Sequence, residues 1–524
     1  MKKYSTNYFI ICTALFIVFF DNASFFKHVL EVYPFQGVDA IFVISLGINY
    51  ILFLILFFAL LTWKHTTKFV LVVMLIISAV ENYFMQTYNV LIDVTMIENT
   101  MQTDLSEVRD LLNVKLFLYI LFLGLLPSYI IYKTPINYLS WKYELYAKLK
   151  LIIGSVLVMF LIMFSFSKYY SSFFREQKIL RFYTNPAHGL FSAGQYLSRQ
   201  MKAKNIPLVQ IGKDAQLLPS KKRKIMIMVV GEAARYDHFS LNGYKRKTNP
   251  LLEKEKVVNF SQMFSCGTTT AVSVPCIFSV YNRVNYSTQK GLHTENILDV
   301  LSYAGVEIYW RDNNSNSKGV ADRVHYVNYK NNQHNTICED GECRDIGMLV
   351  GLDTLIEKNN KDILIILHQM GNHGPAYYKR YPKNFEKFLP VCKTNQLESC
   401  SKEEIVNAYD NALLYTDYFL RETINVLKKY ENKADTIMFY MADHGESLGD
   451  GGLYLHGIPY FIAPEHQKHV GSFVWLGKNS SLDKIRLLKN ADKKYSQDNV
   501  FSSLLGFFSV KTEVYNQDMD LFHN

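Results

Sequence analysis

Three apolar runs in the second half of this chain end on side chains that can bind a metal. Ile-Met-Ile-Met-Val-Val leads into Gly231 and Glu232. Ile-Leu-Ile-Ile-Leu-His-Gln-Met leads into Gly371, Asn372 and His373. Thr-Ile-Met-Phe-Tyr-Met-Ala leads into Asp443, His444, Gly445 and Glu446, with His456 soon after. Carboxylate oxygens and imidazole nitrogens are ligands for Zn²⁺ or Mn²⁺, and a catalytic zinc takes few protein ligands and keeps one position open. A single Glu behind a strand is most often a helix cap, and a single His a satisfied surface or core residue. The same pattern at three strand-like ends points instead to one metal site. A group for that metal to activate lies in FSCGTTTAVSVPCIFS, residues 264–279, where three threonines and a serine stand between two cysteines. Gly267 and the small hydroxyl residues suit a tight entry into a helix, whose free N–H groups attract a phosphate. A threonine hydroxyl is a poor nucleophile until a base or a metal helps to remove its proton. The alternative is that these hydroxyls only cap the helix, and spacing leaves both readings open.

The elements that must carry these residues alternate. Short β-rich runs at 225–230, 306–310, 363–368, 436–441 and 471–476 are separated by helix-length segments. Continuous apolar strands alternating with helices predict a parallel sheet covered on both faces. In such α/β sheets ligands bind at the carboxyl ends of the strands, which is where Glu232, His373 and Asp443 stand.

The first third of the chain has a different solvent. The chain has 524 residues, enough for two to four domains, 49% of them apolar, with 56 basic and 47 acidic side chains and a formal charge of +9. Residues 1–168 hold only 22 of those charges and the other 356 residues hold 81. A segment that avoids charge so consistently is one surrounded by hydrocarbon. The totals exclude a disordered or collagen-like chain. The mild positive excess suits an anionic membrane surface and carries no nucleic-acid signature. Runs at 40–63, 69–90, 116–132 and 151–166 are each close to the ~20 residues a spanning helix needs. The run 8–20, behind Lys2 and Lys3, is either a signal-peptide core or an anchor. An anchor is favoured, because no small-residue cleavage site follows it and apolar character resumes at Phe25.

Orientation follows from the short loops. Lys2, Lys3, Lys64, Lys68, Lys133, Lys142, Lys148 and Lys150 fall on one side. Asp21, Glu31, Asp39, Asp93, Glu98, Asp104 and Glu107 fall mostly on the other. Five crossings with the N-terminus inside place everything after Phe166 outside, in a bacterial periplasm. The expected organisation is a transmembrane domain at 1–168 with a periplasmic loop at 91–113, a linker at 169–219, and a catalytic domain at 220–524. The linker mixes aromatic and basic residues, as an interfacial segment would, or is an ordinary connection with a short helix. Glu81, inside an apolar run, is either a functional group or one that reaches the interface from near a helix end.

Six of seven cysteines lie in the exported part as close couples: Cys266 with Cys276, Cys338 with Cys343, and Cys392 with Cys400. Neighbour pairing into three small-loop disulfides is the economical reading in an oxidising compartment. Zinc binding by thiolates is the rival, and no C-x-x-C supports it.

With these residues in place, a resemblance emerges. GEAARYDHFSLNGYKRKTNP (231–250), CGTTTAVSVPC (266–276), WRDNNSNSKGV (310–320), HQMGNHGPAY (368–377), ADHGESLGDGGLYLHGIPY (442–460) and DVTMIENTMQTDLSE (93–107) resemble the periplasmic phosphoethanolamine transferases that modify lipid A. That family includes the mobile colistin-resistance enzymes. The resemblance implies an alkaline-phosphatase-like or sulfatase-like α/β catalytic domain, its central sheet mostly parallel and flanked by helices, behind five transmembrane helices. It implies Thr270 as nucleophile, joined by Glu232, Asp443 and His444 around one zinc, with a second zinc left open. His373 and His456 would bind a second metal or the phosphate and handle protons, with Glu446 beside them. Asn314 and Lys318 resemble the family's phosphate-contacting pair. Asn99, Thr103 and Glu107, four apart and so on one helical face, match polar residues thought to hold the donor's ethanolamine end. One departure is the signature Gly-Glu-Thr-Ala-Arg, which here has Ala233 for Thr.

The resemblance also implies transfer of phosphoethanolamine from phosphatidylethanolamine to a lipid A phosphate through a phospho-threonine, lowering surface negative charge and giving polymyxin resistance. The enzyme would act as a monomer in the inner membrane. Alternatives are transfer to a core sugar or a periplasmic protein, glycerol-phosphate transfer as in lipoteichoic acid synthases, or a catalytically dead scaffold. A sulfatase would need Cys or Ser followed by x-Pro-x-Arg, and Cys276 is followed by Ile277, Phe278 and Ser279.

Overall fold

A computed structural model describes residues 3–103, 105–203, 206–339 and 341–523, with the side chains of 105–107 and 202–203 excepted. Lys2, Asp104 and the side chain of Glu107 therefore lie outside the described residues. The chain forms two compact units, residues 1–97 with 112–198, and residues 98–111 with 199–524.

In the first unit, helices Gly37–Leu61, Thr67–Tyr88, Val114–Lys133 and Trp141–Ser165 are 20 to 25 residues long and apolar enough to cross a membrane. At 1.5 Å per residue they reach the ~30 Å of a hydrocarbon core. The first expected span is a bent pair, Thr6–Phe20 and Ala23–Val32, at 58° to one another, and counted as one span it makes five. The last span begins at Trp141, so Lys142, Lys148 and Lys150 lie on its first turns and not in a loop. Long basic side chains can be held inside a helix end when their amines find oxygen, and the buried Lys148 Nζ does so at Thr62. Glu81 is buried in this unit. The segment 169–203 is more helical than a linker, with helices Ser167–Glu176 and Ala187–Ala203 joined by a 3₁₀ stretch.

The second unit is built on a seven-stranded sheet: β1 (Lys224–Gly231), β2 (Val258–Asn259), β3 (Glu307–Asp312), β4 (His325–Asn328), β5 (Ile363–His368), β6 (Asp435–Ala442) and β7 (Ser472–Leu476). Their order across the sheet is β2-β7-β6-β1-β5-β3-β4. Every residue of β1, β5 and β6 is buried, because helices cover both faces and leave no polar side for an alternating pattern. One of these is Lys402–Lys428, whose capping box joins Ser401 and Glu404 and whose Tyr409, Leu413, Leu420, Ile424 and Leu427 are buried.

β6, β1, β5, β3 and β4 run parallel. β7 is the strand that makes the sheet mostly rather than wholly parallel: it pairs antiparallel with β6 and with β2. A continuous apolar run reads the same in both directions, so its polarity is invisible in sequence. Register sets the site: Ala442 lies opposite Gly231, Val230 opposite His368, and His368 opposite Asp312. The carboxyl ends of four adjacent strands are therefore level. All three expected disulfides form, Cys266–Cys276, Cys338–Cys343 and Cys392–Cys400, and Cys12 is free.

Candidate active site

Beyond the last paired residues the four strands turn into loops that hydrogen-bond to one another. Asp443 N–H donates to the Gly231 carbonyl at 2.9 Å, Gln369 N–H to Val230 at 3.0 Å, and Asn313 N–H to His368 at 2.8 Å. Side chains from distant parts of the chain are thereby fixed at one edge. Thr270 starts the helix Thr270–Ile277, behind Thr269 as N-cap. The capping alternative fails here: the Thr269 side chain makes no cap hydrogen bond, and the Thr270 hydroxyl turns to the carboxylate cluster. Thr270 Oγ1 donates to Glu232 Oε2 at 3.0 Å and lies 3.3 Å from His444 Nε2. His444 Nε2 in turn is 3.3 Å from Glu232 Oε1 and 3.4 Å from Asp443 Oδ2. Glu232, Thr270, Asp443 and His444 are all buried.

Four observations show that this set fits a dication. His444 Nε2 stands 3.3–3.4 Å from Thr270 Oγ1, Glu232 Oε1 and Asp443 Oδ2, the spacing of neighbouring ligands around a tetrahedral ion with bonds of ~2.0 Å, and ligand atoms of Glu232, His444 and His456 lie within 4.8 Å of one another. Glu232 Oε1 and Asp443 Oδ2 are buried with no hydrogen-bond donor, an expensive state for carboxylate oxygens unless a cation meets them. The other oxygens are occupied: Asp443 Oδ1 accepts from the N–H groups of Ala233 and His444, and Glu232 Oε2 accepts from Asn314 Nδ2 at 2.8 Å. His444 Nδ1 donates to the Gly445 carbonyl at 2.8 Å, which leaves the Nε2 lone pair facing the cluster, the tautomer a metal requires.

The charges agree. Burial and then the Glu232 charge push Asp443 up to about 6. Burial works against protonation of His444, but the charges of Asp443 and Glu232 outweigh it and hold the imidazole up at about 10. Burial would raise Glu232 too, yet the His444 charge beside it keeps the carboxyl well below its usual range. The cluster is thus short of positive charge, which a dication supplies.

His373 and His456 stand beside this cluster. The His456 ring centroid is 4.2 Å from that of His444 and 6.2 Å from that of His373. Its Nδ1 is 3.4 Å from the buried Glu446 carboxylate. Asn314 is at the site, but its amide is committed to Glu232 and to the Gln369 carbonyl, so it steadies a candidate ligand. Lys318 is buried and donates to the Gln102 carbonyl at 3.3 Å. The single-helix premise for Asn99, Thr103 and Glu107 is corrected: one helix ends at Gln102 and another begins at Leu105. Thr103 Oγ1 donates to the Asn99 carbonyl at 2.8 Å, the local competition by which threonine ends helices.

Backbone constraint concentrates here. Ala233 has φ +52°, Lys318 +51° and Leu455 +61°, left-handed values that cost a non-glycine residue of order 1 kcal/mol or more. Gly371 has φ +47°, and a Cβ there would lie 3.1 Å from the Glu232 backbone. Between His444 and Glu446, a Cβ on Gly445 would lie 2.0 Å from the His466 carbonyl oxygen. Neither backbone can yield, because Gly445 N–H donates to Gln467 and Glu446 N–H to His466. Gly445→Ala is expected to lower metal affinity and catalytic rate about 10- to 100-fold, the usual effect of disturbing a ligand's support, as read by competitive chelator titration and an activity assay.

Some supporting residues escape sequence reading. Asp345, whose carboxyl burial pushes upward, accepts from Asn313 and from Met370 and Gly371 N–H, shaping the loop before His373. His368 and Asp312 form a buried pair at 2.9 Å, a signal available in principle because each ends its strand. Arg380 has none. Its side chain is 3% exposed, and it donates to Asp110 at 2.9 Å, to Glu342 at 2.8 Å and, through Nε, to the His373 carbonyl at 2.7 Å. Arg380→Met would leave the buried Asp110 to the Lys379 ammonium and take the guanidinium from Glu342, and is expected to destabilise this unit by about 2–3 kcal/mol, measured by thermal unfolding. Arg380→Lys should not rescue it, because an ammonium cannot serve three directions in a plane.

Comparison with known proteins agrees with this fold. The family model described as phosphoethanolamine transferase EptA/EptB matches residues 50–201, and that described as sulfatase matches residues 224–510. The phosphatidylethanolamine transferase Mcr-2 of Escherichia coli is 43% identical over 97% of this chain and 96% of its own. The phosphoethanolamine transferase EptA of Escherichia coli K12 is 38% identical over 99% and 97%. The solved structure of the integral membrane lipooligosaccharide phosphoethanolamine transferase A of Neisseria meningitidis superposes with a TM-score of 0.96 at 33% identity, covering 100% of this chain and 99% of that one. Sheet, cluster and near full-length relatives lead to one conclusion: the chain belongs to the phosphoethanolamine transferases.

Proposed function

We propose that this protein takes phosphoethanolamine from phosphatidylethanolamine onto Thr270 and passes it to a phosphate of lipid A at the periplasmic face of the inner membrane. The observation that carries the reading is the Thr270 hydroxyl, at a helix N-terminus, within 3.0–3.3 Å of Glu232 and His444. Zinc, held by Glu232, Thr270, Asp443 and His444, would supply a Lewis acid that makes the threonine hydroxyl acidic near neutral pH.

The chain's own groups do the rest. The free N–H groups at the start of Thr270–Ile277 favour an incoming phosphodiester. Glu232, by accepting the Thr270 hydrogen, aims the oxygen's lone pairs away from the carboxylate. Thr270 Oγ1 gives up its proton by way of Glu232 to solvent and forms a bond to phosphorus as the bond to the diacylglycerol oxygen breaks in line. His456, steadied by Glu446, hands that oxygen a proton, and His373 is the second candidate for this role. A lipid A phosphate oxygen then attacks the phospho-threonine and frees Thr270. The added amine is cationic at neutral pH, so the modified surface binds cationic peptides such as polymyxin less. A donor and an acceptor that are both lipids account for the apolar N-terminal helices.

Mass spectrometry tests this. Protein incubated with phosphatidylethanolamine and no acceptor should carry phosphoethanolamine on the tryptic peptide containing Thr270. Lipid A from cells expressing the wild type should gain the same group. A modification of lipid A that persists in Thr270→Ala would remove Thr270 from its role.

A further inference from the structure

One cavity of about 800 Å³ lies beside the strap that carries Thr270, between Phe264, which leads into the strap, and Tyr460, which closes the loop after His456. Chain neighbours of its lining residues tie it to the site. Thr268 Oγ1 donates to the Ile458 carbonyl at 2.8 Å, Gly457 N–H donates to the Thr268 carbonyl at 2.9 Å, and Asp498 Oδ1 lies 3.9 Å from Cys266 Sγ.

Three cations line the cavity, and each rests on an aromatic face. The Arg283 guanidinium is 4.2 Å from the Tyr460 ring centre, Lys468 Nζ 5.4 Å from the same ring, and Lys494 Nζ 4.9 Å from that of Phe264. None of the three is ion-paired among the described residues. A cation held on a ring keeps its charge available to an anion, whereas one neutralised by a carboxylate does not. Three carboxylates, Glu465, Asp498 and Asp518, also line the cavity. Asp498 accepts the Arg283 backbone N–H at 2.8 Å, and Glu465 lies 3.4 Å from His469 Nδ1. Interleaved acids repel a bare phosphate or an acidic peptide, yet they accept hydrogen from hydroxyl groups. Cations, carboxylates and aromatic faces in one open cleft match a sugar that carries phosphate.

We propose that this cleft is the acceptor subsite, holding the phosphorylated sugar headgroup of the lipid that receives phosphoethanolamine from Thr270. The inference rests on the function proposed above and assigns its second substrate a place. Arg283, Lys468 and Lys494 pair with the sugar phosphate that does not react, and the reacting phosphate points toward the stretch that carries Thr270.

The test uses the full chain in detergent micelles, with phosphatidylethanolamine carrying a fluorophore on its ethanolamine as donor and purified lipid A as acceptor. In Lys468→Gln/Lys494→Gln the KM for lipid A should rise about tenfold or more through loss of charge-assisted contacts. Acceptor-independent labelling of the protein by the donor should change less than twofold, and Lys468→Arg/Lys494→Arg should restore the wild-type KM. A soluble glucosamine disaccharide bisphosphate should compete with lipid A in the wild type, and inorganic phosphate at the same concentration should not. An unchanged KM in the glutamine variant, or donor labelling that falls as far as transfer does, overturns the subsite alone. A wild type that never takes label from the donor overturns the functional reading, and the subsite with it.

Discussion

Thr270→Ala is expected to reduce phosphoethanolamine transfer by at least about 10³-fold with no change in fold, while Thr270→Ser retains measurable activity. Removing the attacking atom of a covalent mechanism eliminates the two-step route and leaves only what binding and electrostatics provide, and losses of several orders of magnitude follow. The rest of the cluster should survive. Glu232 keeps its hydrogen bond from Asn314, and Asp443 keeps those from Ala233 and His444. The alanine protein should therefore still bind zinc, more weakly by the loss of one oxygen, and should melt close to the wild type. Serine presents the same hydroxyl without the methyl group, so it keeps the chemistry and loses part of the positioning that matters for a reacting atom. Steady-state transfer assays beside zinc titration separate these outcomes. Full activity in the alanine variant would exclude Thr270 as the nucleophile.

The second large effect concerns the metal. With zinc chelated, the protein should lose transfer by about three orders of magnitude, the weight of several kcal/mol of transition-state charge stabilisation, and should become less stable as pH rises. The sign follows from two groups. Asp443 goes from an ordinary 3.8 up to about 6 through burial and the Glu232 charge, so its ionisation costs stability as pH climbs from about 4 to 6. His444 goes from 6.5 up to about 10 through the charges of Asp443 and Glu232, against the effect of burial. The stability it lends is full below 6.5 and drains away as pH rises toward 10. Zinc binds both carboxylates ionised and the imidazole neutral, so the loaded protein should show little of this dependence.

The gap in melting temperature between zinc-loaded and chelated protein should thus widen from pH 6 to pH 9. Asp443→Asn sharpens the test. Chelated at pH 8, it should melt at or above the chelated wild type, having one buried charge fewer. In zinc it should melt below the loaded wild type. A gap that stays constant with pH, or an asparagine variant less stable in both states, would show that the cluster does not hold a metal in this way.

How much of this was legible in the chain alone depends on the range of the signal. Runs such as 225–230, 363–368 and 436–441 could be read as strands buried on both faces, because a fully covered strand has no polar side to confuse the pattern. The residues at their ends then pointed to a metal. The apolar runs of 16 to 24 residues were equally plain. So were the cysteine couples, because partners 5 to 10 residues apart leave few geometric options.

Tertiary structure decided whatever depends on register or on distant partners. That Ala442, Gly231, His368 and Asp312 sit level is a property of strand pairing. Glu232, Thr270 and His444, 38 and 174 residues from Thr270 on either side, touch only because of it. The antiparallel β7, the helix break at Thr103 and the use of the Asn314 amide on Glu232 likewise left no trace in periodicity. Arg380, tied to Asp110 across 270 residues, is the extreme case. Local sequence records the solvent each residue faces, apolar or polar, every two or 3.6 positions. It does not record which other segment supplies that environment, and a catalytic centre is made of those pairings.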